Sequence, residues 1–217
     1  MSDRPAGDPS SSSGSDSGSG SDPGNLRERD PKARARALQS LLVEKGLLSP
    51  EAVDDVVRTY EEDVGPLNGA KAVARAWTDP DYREWLLEDG VEAVAAVDAE
   101  VNDEVMELRV VENTPDTHNL VVCTLCSCYP WAVLGLPPTW YKTPAYRSRA
   151  VDEPRALLAE EFDTHLDDDV TVEVWDSNSE IRYMVLPQPP PDTEGTDEAD
   201  LRDLVTRNAM IGVERLA

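Results

Sequence analysis

A chain of 217 residues with 40% hydrophobic content can bury one sizeable core, or two small ones. Its 44 acidic against 20 basic side chains give a formal net charge of −24, a field that repels nucleic acid and anionic membrane and excludes both as partners. Acidity spread over the whole length suits a salty interior, where screening relieves the self-repulsion of the compact state, so stability is expected to rise with added KCl.

Residues 1–29 are rich in Ser, Gly, Asp and Pro, as in Ser10-Ser11-Ser12-Ser13-Gly14-Ser15-Asp16. Nothing there buries enough apolar area to offset ordering entropy, and a disordered tail is expected. No basic segment followed by an apolar run marks a secretory signal, and no apolar run approaches the ~20 residues that span a bilayer. The expected compartment is the cytoplasm.

Asp30-Pro31 reads as a helix start, a capping side chain followed by proline at the first helical position. Leu38, Leu41 and Leu42 follow at helical spacing, and Gly46 ends the run. Ser49-Pro50 repeats the signal, with Val53, Val56, Val57 and Tyr60 on one face; Gly65-Pro66 breaks it. A third helix carries Val73, Ala76 and Trp77, and Asp79-Pro80 opens a fourth with Tyr82, Trp85 and Leu86. These stripes are narrow, so residues 30–98 read as a helical arm packed on a partner subunit, or equally as a helical layer on the rest of the chain.

From Val105 the period changes. Residues 105–111, 119–123, 170–175 and 183–186 are short apolar or β-branched runs, with Thr114-Pro115-Asp116 punctuating the first two. A proline- and aromatic-rich connection over 135–142 leads to a helix around 153–165, and a last helix lies around 199–206. Helices at both ends with strands between them indicate an α+β fold, and residues 99–217 are expected to form one α+β domain.

All three cysteines lie within six residues, at Cys123, Cys126 and Cys128. In a chain without a signal peptide that clustering points to metal or redox chemistry rather than to disulfides. Four readings compete. Structural zinc wants a fourth ligand, for which only His118 or His165 is available, and a lone histidine before a strand is more often a surface residue. Iron–sulfur clusters want four cysteines. A redox pair of Cys123 and Cys126 leaves Cys128 unexplained. In the fourth reading, Cys126 and Cys128 grip one ion together with the backbone nitrogens of Ser127 and Cys128. Deprotonated amides and thiolates favour low-spin trivalent cobalt or iron, giving two nitrogens, three sulfurs and one open position.

The run Val122-Cys123-Thr124-Leu125-Cys126-Ser127-Cys128-Tyr129-Pro130-Trp131, continuing through Val133-Leu134-Gly135-Leu136-Pro137-Pro138, resembles the metal-claw motif of the nitrile hydratase alpha subunit. The likeness extends to Val111-Glu112-Asn113-Thr114-Pro115, Trp140-Tyr141-Lys142, Tyr146-Arg147-Ser148-Arg149 and Val174-Trp175-Asp176, and covers roughly residues 30–217. It implies a layered α-β-β-α domain with an N-terminal helical arm around a beta subunit, and hydration of small nitriles to amides. It implies Cys123 as an unmodified thiolate, Cys126 as sulfinate and Cys128 as sulfenate, with Cys128, Cys126 and Ser127 at the reacting centre. Thr124, where iron-binding relatives tend to carry serine, points to cobalt over iron. Asp176, Glu180 and Arg182 fall where the family has polar residues around the metal, and Glu104 where several relatives carry glutamine; Trp131 reads either as lining the substrate pocket or as core packing beside the loop. A beta subunit supplying arginines and a metal-loading activator are the implied partners. The related thiocyanate hydrolase subunit is the alternative within the family, and a non-catalytic zinc-binding interaction module the alternative outside it.

Overall fold

A computed structural model of the chain describes residues 31–58, 67–97 and 107–216. The tail over 1–29, Tyr60, Gly65-Pro66 and Glu104 lie outside the described residues. The chain divides into two compact units, residues 1–50 and 51–217.

In the first unit, Pro31 opens helix α1 (Pro31–Glu44), as its position after Asp30 predicts. The apolar stripe of α1 is exposed, with Leu38 and Leu41 on the surface and Leu47 beyond its end likewise. Helix α2 (Pro50–Arg58) carries most of its length in the second unit and has no buried residue; Val56 and Val57 face solvent.

The helices α3 (Leu67–Thr78), α4 (Pro80–Glu88) and α5 (Gly90–Val97) behave differently. Asp79 caps α4, its Oδ1 accepting the N–H groups of Asp81 and Tyr82 at 3.1 Å, with Pro80 at the first helical position. Ala70, Val73, Ala76, Tyr82, Leu86, Ala93 and Val94 are all buried in the same core as the strands. Residues 67–97, read from sequence as arm or intramolecular layer, are thus a layer of this domain.

Four strands follow: β1 (Glu107–Glu112), β2 (Thr117–Val122), β3 (Thr171–Asp176) and β4 (Ile181–Leu186). β1 does not pair with β2, nor β3 with β4. β1 pairs with β4 and β2 with β3, both parallel, with Glu107 opposite Ile181 and Val122 opposite Asp176. The connections over 113–116 and 177–180 step the chain from one sheet to the other. Asn113 N–H extends the first ladder to the Leu186 carbonyl at 3.0 Å, while Thr114 N–H closes the turn on the Thr117 carbonyl at 2.9 Å. Parallel strands buried on both faces read as continuous apolar runs, which is how Leu120-Val121-Val122 appears.

Between β2 and β3 lie α6 (Trp131–Leu134), a 3-10 turn over Thr139–Lys142, α7 (Pro144–Asp152) and α8 (Pro154–Phe162). The chain closes with α9 (Glu198–Leu204) and α10 (Arg207–Ile211). Helices α4 and α5 pack on β1, the two sheets pack on each other through β2 and β4, and α7 and α8 pack on β2 and β3. This is the layered α-β-β-α order within an α+β fold.

His118, expected at the surface, is buried inside β2. Its Nε2 lies 2.8 Å from the Gly212 carbonyl and its Nδ1 3.4 Å from Asn113 Nδ2. A buried polar side chain persists where both its polar atoms are partnered, and that requirement drew it inward. Burial holds the His118 pKa below the usual histidine value, with the Gly212 bond opposing and the charges of Arg215 and Arg155 adding to the shift. The unfolded chain therefore binds this proton first, and stability is lost as pH falls below about 6.5, by up to about 1.4 kcal/mol per pH unit. Unfolding midpoints measured between pH 7 and 5.5 should show that slope, and His118→Gln should flatten it; an unchanged slope in the variant would remove His118 as its source.

Candidate metal centre

The carboxyl ends of a parallel strand pair are open to whatever loops leave them. β2 and β3 end together, and Ser177 N–H extends their ladder to the Val122 carbonyl at 2.7 Å. The cysteine loop leaves this edge. Asp176, last in β3, holds its first turn: Oδ1 accepts Thr124 N–H at 2.9 Å and Oδ2 accepts the Thr124 hydroxyl at 2.5 Å. Cys123 is buried, Thr124 through Ser127 are exposed, and Cys128 is half-buried.

A floor of aromatic rings supports the loop. Tyr129 and Tyr141 meet edge to face at 5.1 Å, and Trp140 packs on Tyr146 and on Phe162 at 4.8 Å. The hydroxyl of Tyr146 donates to the Val121 carbonyl at 2.7 Å and that of Tyr141 to the Cys128 carbonyl at 3.1 Å. Arg147, near the start of α7, donates from Nη1 to the Cys126 carbonyl at 3.1 Å.

The three sulfurs converge, with all pairs within 4.8 Å and no disulfide formed. Cys126 Sγ stands 3.5 Å from Cys123 Sγ and 3.0 Å from Cys128 Sγ. The Cys126 thiol is pulled down to about 7, first by hydrogen bonds from Cys128 and Cys123 and then by the backbone N–H groups of Ser127 and Cys128. The Cys128 thiol is pushed up to about 12 by burial and by its bond to Cys126, against the charge of Arg182. Two thiols this close titrate as a pair, with the first proton leaving near neutral pH.

The backbone nitrogens of Ser127 and Cys128 are the two that the sequence leads one to expect beside the three sulfurs as metal donors. Thiolates at about 2.3 Å from a tetrahedral zinc stand about 3.8 Å apart, whereas sulfurs at right angles stand about 3.3 Å apart. The 3.5 Å separation lies between these two values and the 3.0 Å separation is shorter than both. Neither histidine joins the cluster: His118 is on Gly212, and His165 is exposed beside Asp163 at 3.1 Å.

A family profile described as nitrile hydratase, alpha chain, matches residues 29–214. The chain belongs to the nitrile hydratase alpha-chain family. It is 51% identical over 182 residues to the alpha subunit of the high-molecular-weight cobalt-containing nitrile hydratase of Rhodococcus rhodochrous, spanning 84% of this chain and 89% of that one. It is 43% identical over 187 residues to the gamma subunit of thiocyanate hydrolase of Thiobacillus thioparus, spanning 82% and 76%. A double mutant of the Fe-type nitrile hydratase of Comamonas testosteroni Ni1 superposes with a TM-score of 0.76 at 39% identity, covering 87% of this chain and 92% of that one.

In this alpha chain the expected site residues do not all stand together. Cys123, Cys126 and Cys128 form the cluster with Ser127 between the last two, Thr124 and Asp176 hold its first turn, and Arg182 sends its charge toward Cys128. Arg182 is fixed by Nη1 donating to the Asn178 carbonyl, while its buried Nε has no partner among the described residues. Trp131 is partly exposed under the Lys142 ammonium, 5.6 Å from the ring centre, on the α6 side of the loop. Glu180 is exposed, and its described bonds are backbone ones: its N–H to Asn178 Oδ1 and its carbonyl to Glu107 N–H. Sequence reasoning missed Tyr141 and Arg147. Both stood inside the quoted family likeness, yet only tertiary contact shows them on the loop carbonyls.

Because Asp176 makes two bonds to one residue of the loop, Asp176→Ala should free that turn without touching a sulfur. Metal retention against a chelator is expected to fall by about 10–100-fold, with the unfolding midpoint little changed. Retention equal to the parent's would show that the loop keeps its shape without this anchor.

Proposed function

We propose that this alpha chain holds a trivalent cobalt ion in the sulfurs of Cys123, Cys126 and Cys128 and the backbone nitrogens of Ser127 and Cys128, and with a beta subunit hydrates small nitriles to carboxamides. The observation that carries the reading is the convergence of three free cysteine sulfurs at one loop, all within 4.8 Å of one another. Cobalt is favoured over iron by the cobalt-containing relative at 51% identity and by threonine at position 124. A low-spin trivalent ion held by these residues would supply the Lewis acidity that opens a nitrile carbon to attack.

The chain's own groups do the rest. Cys126 as sulfinate and Cys128 as sulfenate would set the charge around the bound ion. The Cys128 sulfenate oxygen is the nucleophile or the base that activates water, and Arg182 balances its charge. The reaction stops at the amide, because the loop offers no second nucleophile to break a carboxamide.

The exposure of the loop supports a second chain over the site: Leu125, at its tip, is 85% exposed. The exposed leucines and valines of α1 and α2 support an arm over residues 31–58 that grips that beta subunit. A separate activator loads the metal. Three free thiols fit a reducing cytoplasm, and the net charge of −24 fits one rich in salt. No described helix is long and apolar enough to cross a membrane.

The test is elemental analysis of the chain purified with its partner, followed by parallel assays on a nitrile and on thiocyanate. About one cobalt per chain with amide formation is the expected result. Carbonyl sulfide from thiocyanate without amide formation would move the chain to the thiocyanate hydrolase branch, and zinc without activity would make the loop a structural staple.

A further inference from the structure

A peptide group shares its electrons between nitrogen and oxygen. When its nitrogen releases its proton to solvent and ligates a trivalent ion, the negative charge left on the peptide is shared with its own carbonyl oxygen. For the Ser127 nitrogen that oxygen belongs to Cys126, and it is the atom on which Arg147 Nη1 rests at 3.1 Å. The guanidinium is braced from behind. Its Nη2 donates to the Lys142 carbonyl at 3.1 Å and its Nε reaches the Thr143 carbonyl at 3.5 Å. Thr143 in turn caps α7, its hydroxyl accepting Tyr146 N–H at 3.2 Å.

The electrostatics single this arginine out. Two residues on, Arg149 is taken up by Glu153, Glu160 and Glu161. Arg147, in a chain with 44 acidic side chains, makes its described bonds to backbone carbonyls alone. Its charge is left facing the cysteine loop. The phenol of Tyr141 is not equivalent, because the Cys128 carbonyl that it holds belongs to the peptide of the Tyr129 nitrogen.

We propose that Arg147 is a positioning residue for the metal: it fixes the plane of the Cys126–Ser127 peptide with its nitrogen toward the sulfurs, and neutralises the charge that this peptide carries once the nitrogen ligates. The proposal rests on the metal reading given above. It separates two jobs of one side chain, a brace and a charge, and the two respond differently to substitution. Arg147→Lys keeps the charge with fewer donors. Arg147→Gln keeps a donor and loses the charge.

Each variant is produced with the beta subunit and activator and purified as the complex. Cobalt per chain, the rate of its loss to a strong chelator and the sulfur-to-metal charge-transfer absorption are then compared with the parent. Arg147→Gln should lose metal on the order of tenfold faster, with a shifted absorption band, while Arg147→Lys stays within about threefold of the parent. Metal loss from Arg147→Gln within twofold of the parent overturns the proposal. Equal loss from both variants, matched by equal falls in the unfolding midpoint of the metal-free chain, also overturns it and leaves only a brace. If Arg147→Gln gives no folded complex, the lysine variant decides alone: near-parental retention supports the charge, tenfold loss refutes it. A parent complex without cobalt or iron overturns the site reading and this proposal together, whereas a loaded parent beside an equally loaded Arg147→Gln overturns this proposal alone.

Discussion

The Cys128→Ser variant is expected to lower nitrile hydration by at least ~10³-fold, the scale seen when a group acting at the reacting atoms is removed. The sulfur it removes stands 3.0 Å from Cys126 Sγ and is the half-buried member of the pair. A hydroxyl in its place is a hard, weakly acidic donor, ill suited to an ion that thiolates and amides select. It also has no sulfur to carry the oxygen that the proposed chemistry uses. The neighbouring Ser127→Ala is the informative contrast. Ser127 is proposed to contribute its backbone nitrogen, its side chain is exposed, and activity should stay within about threefold of the parent. Turnover by purified complexes, normalised to bound metal, separates the cases. Parental activity in Cys128→Ser would remove that residue from the chemistry, and a collapse in Ser127→Ala would mean that its hydroxyl acts where only its nitrogen is assigned a role.

The contrast shows what kind of information the sequence holds. A claw of three cysteines in six residues is local chemistry, readable because the spacing itself limits what the loop can hold. Caps are local as well: Asp79-Pro80 announces α4 by the same physics in the sequence and in the fold. Thr143-Pro144 gives an equally clear signal for α7, which the aromatic-rich composition around it concealed. Pairing is another matter. Thr114-Pro115-Asp116 marks a turn, but whether the chain returns as a hairpin or steps to a second sheet depends on β3 and β4, some sixty residues away. An amphipathic stripe likewise does not name its partner. The stripe of α3 meets the domain core, while that of α1 stays exposed, although both alternate at the same period. Arg147 and Tyr141 were hidden for the same reason, lying 21 and 13 residues from the carbonyls that they hold.

The Gly212→Ala variant should be the most damaging single substitution outside the cysteine loop, costing at least about 3 kcal/mol of folding stability. Gly212 ends α10 at φ +88, with its N–H on the Asn208 carbonyl at 3.0 Å and on the Ala209 carbonyl at 3.1 Å. The positive φ alone costs a side chain about 1–2 kcal/mol. The larger part is steric, because a Cβ there would stand 1.9 Å from the Asn119 carbonyl oxygen and 3.1 Å from Leu120 Cα. That backbone belongs to β2, so relief requires α10 to lift from the strand and release the Gly212 carbonyl from His118. Gly195 provides the internal control: it has φ +79, and a Cβ there meets nothing within 4 Å, so Gly195→Ala should cost only the conformational part. Denaturant unfolding of both variants gives the comparison, and similar midpoints for the two would show that the α10–β2 contact yields easily. Since β2 runs directly into Cys123, a displaced strand carries the first ligand of the cluster with it. Gly212→Ala should therefore also lose bound metal while keeping every cysteine, a consequence that Gly195→Ala does not share.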